Sequence, residues 1–419
     1  MPLAHILLPL IVAASILLML LRPRGIQEVW WISTGVLLLL AFRLIPLNLA
    51  ASATAKGTDV YLFLTGMMLL AELAREQGVF DWVSSIAVRH AKGSCARLFL
   101  LVYLVGTLVT IFMSNDATAV VLTPAILAAI RKAKISPLPY LFACALIANA
   151  ASFVLPISNP ANLVVFHTGM PPLARWLVDF GVPSILSIAA TYAVIRIFFR
   201  NDLHQKIQSA PEPAQLTAEG KLVLASLVVM VAVLLTASAM NKDLGLPTCL
   251  AAIAITAVVS AKSRTNPLKL FREISWGTLL LVAGLFILVA AVETEGALQI
   301  TQQWLASAQH LAAPTAAMLI GFTVGITNNL VNNLPLGLIA GSTLQAAHLQ
   351  GLLANATLIG VDLGPNLSVT GSLATILWLI ALRKEKLDVS FWKFLQIGAI
   401  AMPIALAAAL GGAILMAHF

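Results

Sequence analysis

The sequence predicts an all-α polytopic membrane protein made of two inverted repeats. Each repeat has five spans, one of them broken, plus a re-entrant hairpin, which makes about ten transmembrane helices. Three observations lead there. First, 60% of the 419 residues are apolar and 10% are charged, with a mean hydropathy of +0.96. A soluble domain carries about 25% charged residues, so this chain has no polar coat to cover a soluble core. Second, polar, Asn-rich stretches interrupt the apolar runs at matching places in the two halves. Third, Lys and Arg gather in short clusters between the apolar runs.

The elements follow in order. Spans are expected at 3–21, 29–50 and 58–74, then an amphipathic piece at 77–92. Two apolar arms, 96–113 and 117–130, are split by Ser114-Asn115-Asp116. A broken span, 138–155 and 163–173, is split by the stretch from Pro156 to Asn162, and a further span covers 175–197. Residues 198–220 are hydrophilic, with Asn201, Asp202, Lys206, Pro211 and Pro213, and 201–220 reads as a linker. The order then repeats: spans at 221–239, 245–261 and 275–292, and an amphipathic piece at 297–311. Arms at 312–326 and 334–346 are split by Thr327-Asn328-Asn329-Leu-Val-Asn332-Asn333. A broken span, 350–361 and 369–382, is split by Asp362-Leu-Gly-Pro-Asn366, and the last span covers 391–416. Two glycine pairs mark the repeat, Gly66 with Gly78 and Gly284 with Gly296, each 12 residues apart. On this reading Ser114-Asn115-Asp116 matches Thr327-Asn328-Asn329.

Positive charge marks cytoplasmic loops. Arg22 and Arg24, then Arg89, Lys92 and Arg97, then Arg131, Lys132 and Lys134 mark the first half. Arg196, Arg200, Lys206 and Lys221 place the linker in the cytoplasm, and Lys262, Arg264, Lys269 and Arg272 follow. Between Arg272 and Arg383 there is no Lys or Arg. The hairpin near 96–131 therefore enters from the cytoplasm, and the one near 312–346 from outside. The units are 1–200 and 221–419. With an odd number of spans in each, their orientations are opposite, the pattern of inverted-repeat transporters. The N-terminus is expected outside, with the first span retained.

Unpaired backbone is not tolerated in hydrocarbon, so breaks at mid-depth line protein or a wet cavity. Their amides and hydroxyls both donate and accept, which suits a small hydroxylated or anionic solute, or an ion. The candidate solute-binding residues are Ser114, Asn115, Asn159, Asn162, Thr327, Asn328, Asn332 and Asn366. Any one of them has a plainer reading, as a partner for freed backbone. Asp116 is the sharpest: a carboxylate at mid-membrane costs roughly 2.5–3.5 kcal/mol on insertion scales, where Asn or Thr would cost less. It is the expected proton-carrying residue, against a salt bridge or a helix cap. Asp362 is the second proton-coupling candidate, against a cap on the half-helix near Leu367.

Other residues carry blander readings. Glu72, Glu76, Glu293 and Glu295 lie at the ends of third spans, where they face water or pair with loop bases. Cys95, Cys144 and Cys249 show neither a disulfide frame nor zinc spacing, and the histidines show no ligand pattern. No cofactor is expected. The net charge of +8 reflects loop charge rather than nucleic-acid binding. No metalloprotease motif, nucleophile–base pair or nucleotide loop points to an enzyme.

On Ser114-Asn115-Asp116-Ala-Thr118, Ser158-Asn159-Pro160-Ala-Asn162, Thr327-Asn328-Asn329-Leu-Val-Asn332-Asn333-Leu-Pro335, and Gly360-Val-Asp362-Leu-Gly-Pro-Asn366 with Thr370-Gly371-Ser372, the chain resembles the arsenite and antimonite efflux permeases of the ArsB type, in the ion transporter superfamily. The resemblance covers essentially the whole chain. It implies extrusion of trivalent arsenic and antimony hydroxides in exchange for protons across a bacterial inner membrane. It also admits a cytoplasmic ATPase subunit of the ArsA type as partner. Related dicarboxylate carriers bear Ser-Asn-Thr at both hairpin tips. The carboxylate of Asp116 departs from that pattern and would repel a dianion. A sodium/proton antiporter or an organic-anion carrier on the same scaffold is the alternative.

Overall fold

A computed structural model describes residues 2–167, 169–207, 215–240 and 242–417; Pro211 and Pro213 of the linker fall outside them. The first half contains α1 (Pro2–Leu21), α2 (Glu28–Ala41), α3 (Leu47–Lys56), α4 (Thr58–Glu76), α5 (Val79–His90), α6 (Cys95–Phe112), α7 (Asn115–Ala117), α8 (Thr123–Ala133), α9 (Leu138–Ala150), α10 (Pro160–Val165) and α11 (Leu173–Phe198). A short α12 (Arg200–Leu203) begins the linker. The second half contains α13 (Ala218–Ala239), α14 (Gly245–Ser263), α15 (Pro267–Glu273), α16 (Trp276–Thr294), α17 (Ala297–Gln309), α18 (Ala313–Val331), α19 (Asn333–Ala346), α20 (Leu352–Leu363), α21 (Leu373–Lys384) and α22 (Phe391–Met416).

The protein is an all-α, polytopic membrane protein. Seven described helices are long and apolar enough to cross a bilayer, eight if the bent α3–α4 pair is one span. The expected count of about ten differs for three reasons. α2, of 14 residues, is a shorter apolar helix. The broken spans α9/α10 and α20/α21 are divided into short pieces. The long helices α6 and α18 are hairpin arms that turn back. The second span also ends earlier than expected: α2 stops at Ala41, and 47–56 forms α3, bent 49° from α4.

Element order runs twice, and so does the packing. α2 lies on α16 while its counterpart α14 lies on α4. α6 packs on α9 as α18 packs on α20, and α5 packs on α8 as α17 packs on α19. α11 and α22, both of 26 residues with a Pro inside, lie along each other between the halves. The paired glycines have matching jobs. A Cβ at Gly66 would stand 2.8 Å from the Thr248 carbonyl oxygen, so Gly66 lets α4 meet α14. A Cβ at Gly284 would stand 2.5 Å from Ile32 Cγ2, so Gly284 lets α16 meet α2. Gly78 and Gly296 precede α5 and α17 with φ of 69° and 85°, a left-handed turn that only glycine adopts freely.

At the linker side, Arg75 binds Glu72 and Glu273, and Lys269 binds Glu76 at 3.1 Å, tying α4 to α15. At the opposite end Glu295 meets His5 at 2.7 Å. Three of the four end-of-span glutamates therefore pair with bases. All three cysteines are buried and free.

The two glycine contacts give a stability test. At Gly66 the obstacle is backbone, which cannot swing aside, whereas at Gly284 it is a side-chain methyl. Gly66→Ala is expected to destabilise by about 1–3 kcal/mol, and Gly284→Ala by less. Thermal unfolding of the two variants in detergent gives the ranking.

Candidate functional site

The first break is made at Ser114. Its backbone is extended, which ends α6, and its Oγ accepts from the Ala117 N–H at 3.2 Å to start the second arm. Asn115 Oδ1 accepts from the Asp116 N–H at 2.9 Å. A π-helical turn at Thr118–Leu122 then swells the arm, and the Thr118 hydroxyl meets that of Thr110 at 2.8 Å. Between α9 and α10, Pro156 and Pro160 forbid a continuous helix. Asn159 caps α10 through the Ala161 N–H at 3.0 Å. Asn162 Nδ2 donates to the carbonyls of Ser152, Leu155 and Pro156 at 2.9, 3.3 and 3.3 Å, which is the plainer, backbone-satisfying reading of that residue.

The second hairpin breaks later than the sequence suggested. α18 runs helically through Thr327, Asn328 and Asn329 to Val331, and the turn is at Asn332, with φ of 81°. Ser114 therefore corresponds to Asn332, Asn115 to Asn333, and Asp116 to Leu334. The three residues first read as the tip sit one turn earlier. Thr327 lines an apolar cavity beside α17. Asn328 Nδ2 donates to the Val361 carbonyl at 2.5 Å. Asn329 Nδ2 donates to the carbonyls of Gly325 and Gly364, and its Oδ1 accepts from Ser368 Oγ at 2.7 Å. Asn332 Nδ2 donates to the Thr370 carbonyl at 3.1 Å. These amides clip the second hairpin to the second broken span.

The two broken spans then bind each other. Asn149, at the end of α9, donates through Nδ2 to Asn366 Oδ1 at 3.0 Å and to Thr375 Oγ1 at 3.3 Å, and accepts from Ser372 Oγ at 3.3 Å. Asn366 Nδ2 donates to the Leu146 carbonyl at 3.0 Å. Reciprocally, Asp362, near the end of α20, accepts from Ser152 Oγ at 2.7 Å and Asn159 Nδ2 at 2.9 Å. Asp362 lies inside α20 and caps nothing near Leu367; its carboxylate reaches the other half's break. Ser372 caps α21 as Asn159 caps α10.

A small cavity lies where the halves meet, lined by Leu64, Asn115, Asp116, Asn159, Pro160, Thr278, Asn333, Leu334, Leu373 and Ala374. Its volume is about 10 Å³, room for about one water. The fold thus brings Asn115, Asp116 and Asn159 together and leaves Ser114, Asn162, Thr327, Asn328, Asn332 and Asn366 in supporting places. Sequence reasoning missed Asn333, Thr278 and Asn149. Asn333 was visible in the same polar stretch, and matching it to Asn115 was the available signal. Thr278 and Asn149 sit in apolar runs that carry no such signal.

Asp116 is partly buried and, among the described residues, its carboxylate has no hydrogen-bond or ion-pair partner. It is neither salt-bridged nor a cap, since Ser114 and Asn115 take the free N–H groups. Asn333 is 3% exposed and its Oδ1 is also unpaired. No Lys, Arg or His lines the cavity. The site offers an unpaired carboxylate and an unpaired amide oxygen, with no compensating cation.

Replacing Asn149 by Leu strands Asn366 Oδ1 and removes one partner each from the Ser372 and Thr375 hydroxyls, which keep each other at 2.9 Å. The expected loss is about 2–4 kcal/mol, from several buried polar groups losing partners. A drop in unfolding temperature no larger than that of an exposed Leu-to-Ala control at Leu250 would count against the crossing as a structural tie.

Comparison with known proteins accords with this architecture. The chain matches the citrate transporter family, CitMHS, over residues 6–361. It is 26% identical over 413 residues to an arsenical pump membrane protein of Escherichia coli K12, covering 92% of this chain and 93% of the relative. It is 24% identical over 415 residues to a putative arsenical pump membrane protein of Bacillus subtilis, covering 91% and 93%. In fold it is similar to the crystal structure of the YdaH transporter of Alcanivorax borkumensis, at a TM-score of 0.57 and 14% identity, covering 88% of this chain and 86% of that one. The chain accordingly belongs to the citrate transporter (CitMHS) family, as a membrane transport protein and not an enzyme.

Proposed function

We propose that the protein is a secondary carrier that extrudes trivalent arsenic and antimony hydroxides from the cytoplasm in exchange for protons. It works by alternating access around the cavity at Asp116. The observation that carries this reading is the partnerless Asp116 carboxylate beside the unpaired Asn333 amide, with no cation on the wall. A neutral hydroxylated solute brings O–H donors that such acceptors lack. A citrate-like anion meets a carboxylate and no positive charge, which weighs against the cargo in the family's name. The names of the arsenical pump relatives point the same way.

On this reading 1–200 and 221–419 are inverted repeats in a bacterial inner membrane. The N-terminus is outside, the 96–131 hairpin faces the cytoplasm and the 312–346 hairpin faces out. Asp116 carries the proton. Asp362 is the second titrating group, reached from the cavity through Asn159. Asn115 and Asn159 contact the solute, with Asn333 and Thr278 added to that set; Ser114, Asn162, Asn332 and Asn366 hold the frame. A cytoplasmic ATPase subunit is a compatible partner.

The energetics are adequate. A neutral solute gains nothing from the membrane potential, but one proton entering contributes roughly 2.3 kcal/mol per 100 mV. At 1.4 kcal/mol per decade that sustains a gradient on the order of 50-fold.

The test is arsenite uptake into inverted vesicles under an imposed pH gradient. Wild type is expected to accumulate arsenite, Asp116→Asn to lose gradient-driven uptake, and Asp362→Asn to retain part of it. Undiminished proton-coupled uptake by folded Asp116→Asn would refute the role given to Asp116. Uptake of sodium or succinate in place of arsenite would favour the alternative carriers.

A further inference from the structure

A larger chamber lies away from the central cavity, between the ends of α10 and α19 and the starts of α11 and α20. Its volume is about 730 Å³, and Val165, Arg175, Gly341, Gln345, His348 and Asn355 are on its wall. A second cavity of about 310 Å³ adjoins it and shares Arg175, Asp179, Gly351 and Asn355. The corresponding space in the other half is filled: Phe142 packs on Trp378, Phe394 and Phe199 with ring centroids 5.6–5.8 Å apart. The two halves share a plan, and among the described residues aromatic rings occupy in the first half the place that the chamber takes in the second.

The chamber wall is chemically specific. Asn355 stands in the first turn of α20, is 8% exposed, and makes no side-chain hydrogen bond among the described residues. It lines both cavities, so its amide is buried in protein yet presented to this space. Gly351 precedes α20 without a side-chain cap, leaving the helix's first N–H groups at the same wall. Arg175 grips Asp179 through two contacts of 2.9 and 3.0 Å, so the one guanidinium on the wall is already neutralised. Gln345 is exposed at the rim. The wall thus carries both donors and acceptors, and its one Arg and one Asp neutralise each other.

We propose that this chamber is a second binding site, for a small neutral polyhydroxylated solute. It rests on the cargo reading above and gives that cargo a place to wait. A dianion would meet Asp179 and find Arg175 occupied. A solute with several O–H groups can donate to Asn355 Oδ1 and Gln345 Oε1 while accepting from the α20 N–H groups. The two sites are neighbours. α10 has Pro160 at the central cavity and Val165 at the chamber, five residues or about 7.5 Å apart. Between them the path is sealed where α19 touches α10: a Cβ at Gly341 would stand 2.6 Å from the Val165 carbonyl oxygen. On the proposed topology the chamber opens outward, which makes it the exit vestibule. The central cavity here holds about one water, so in this conformation the chamber is the site with room for the solute.

The experiment is equilibrium binding of radiolabelled arsenite to the purified full chain in detergent, with transport measured in parallel. Asp116→Asn is expected to keep a bound fraction. Adding Asn355→Leu should weaken that fraction roughly tenfold, the loss of one or two hydrogen bonds. Gln345→Leu, at an exposed position that does not affect folding, should weaken it about threefold and covers the case in which Asn355→Leu fails to fold. Arsenite transport by wild type with binding unchanged in both chamber variants overturns the second site and leaves the cargo reading standing. Absence of arsenite binding and transport in wild type overturns both.

Discussion

The structure depends on one constraint, that backbone groups released by a helix break must be paired where no water is available. Two spans are broken near the middle; the carbonyls freed at each break are paired mainly by amides of the same half, Asn162 in the first and Asn328, Asn329 and Asn332 in the second, and side chains then tie the two breaks to each other. Asn149 of the first half holds Ser372, Thr375 and Asn366 of the second, and Asp362 of the second holds Ser152 and Asn159 of the first. The residues that cap the half-helices α10 and α21 are thereby gripped from across the two-fold relation. Among the described residues the side chains of Asn149, Asn366 and Asp362 find their hydrogen-bond partners across the halves, so these buried polar groups are satisfied only when the halves assemble.

The hairpins hang from this crossing. Ser158 Oγ donates to the Ile111 carbonyl at 3.0 Å and ties the first hairpin to the first break. Asn328, Asn329 and Asn332 tie the second hairpin to the second break through the carbonyls of Val361, Gly364 and Thr370. With so many amides committed to backbone, the groups left over stand out. Asn162 and Asn328 each keep an unpaired Oδ1 too, but among the unpaired groups Asp116 and Asn333, at adjacent positions on the two tips, face one small cavity. Structural amides and functional ones look alike in composition, and the cavity they face separates them.

The second hairpin shows how far a local reading can be trusted. Thr327-Asn328-Asn329 looks like a tip because adjacent amides are poor helix formers. The helix nevertheless continues, because the Asn328 and Asn329 side chains find partners on neighbouring segments and, for Asn329, on the carbonyl one turn back. Moving the turn to Asn332 pairs Asp116 with Leu334. The contrast at the tips is therefore between a carboxylate and an alkyl group, sharper than the one drawn between Asp116 and Asn329. The separate helix α3 is missed by a local reading for another reason: 47–50 read as the end of the second span, and the small polar residues of 51–57 read as the gap before the third.

By itself the sequence determined the class of protein, the order of elements and its repetition, the location of the breaks to within a turn, and the loop charges. These follow from composition, periodicity and residue type, which act locally or through the surrounding lipid. Only the tertiary structure decided which polar residues support the frame and which face a cavity, that Asp362 reaches across to Ser152 and Asn159, and that Asn149 and Thr278 belong to the centre. Such assignments depend on partners up to 226 residues away in sequence. A polar side chain in hydrocarbon announces only that it needs a partner, and the packing of the two halves supplies one or leaves it open.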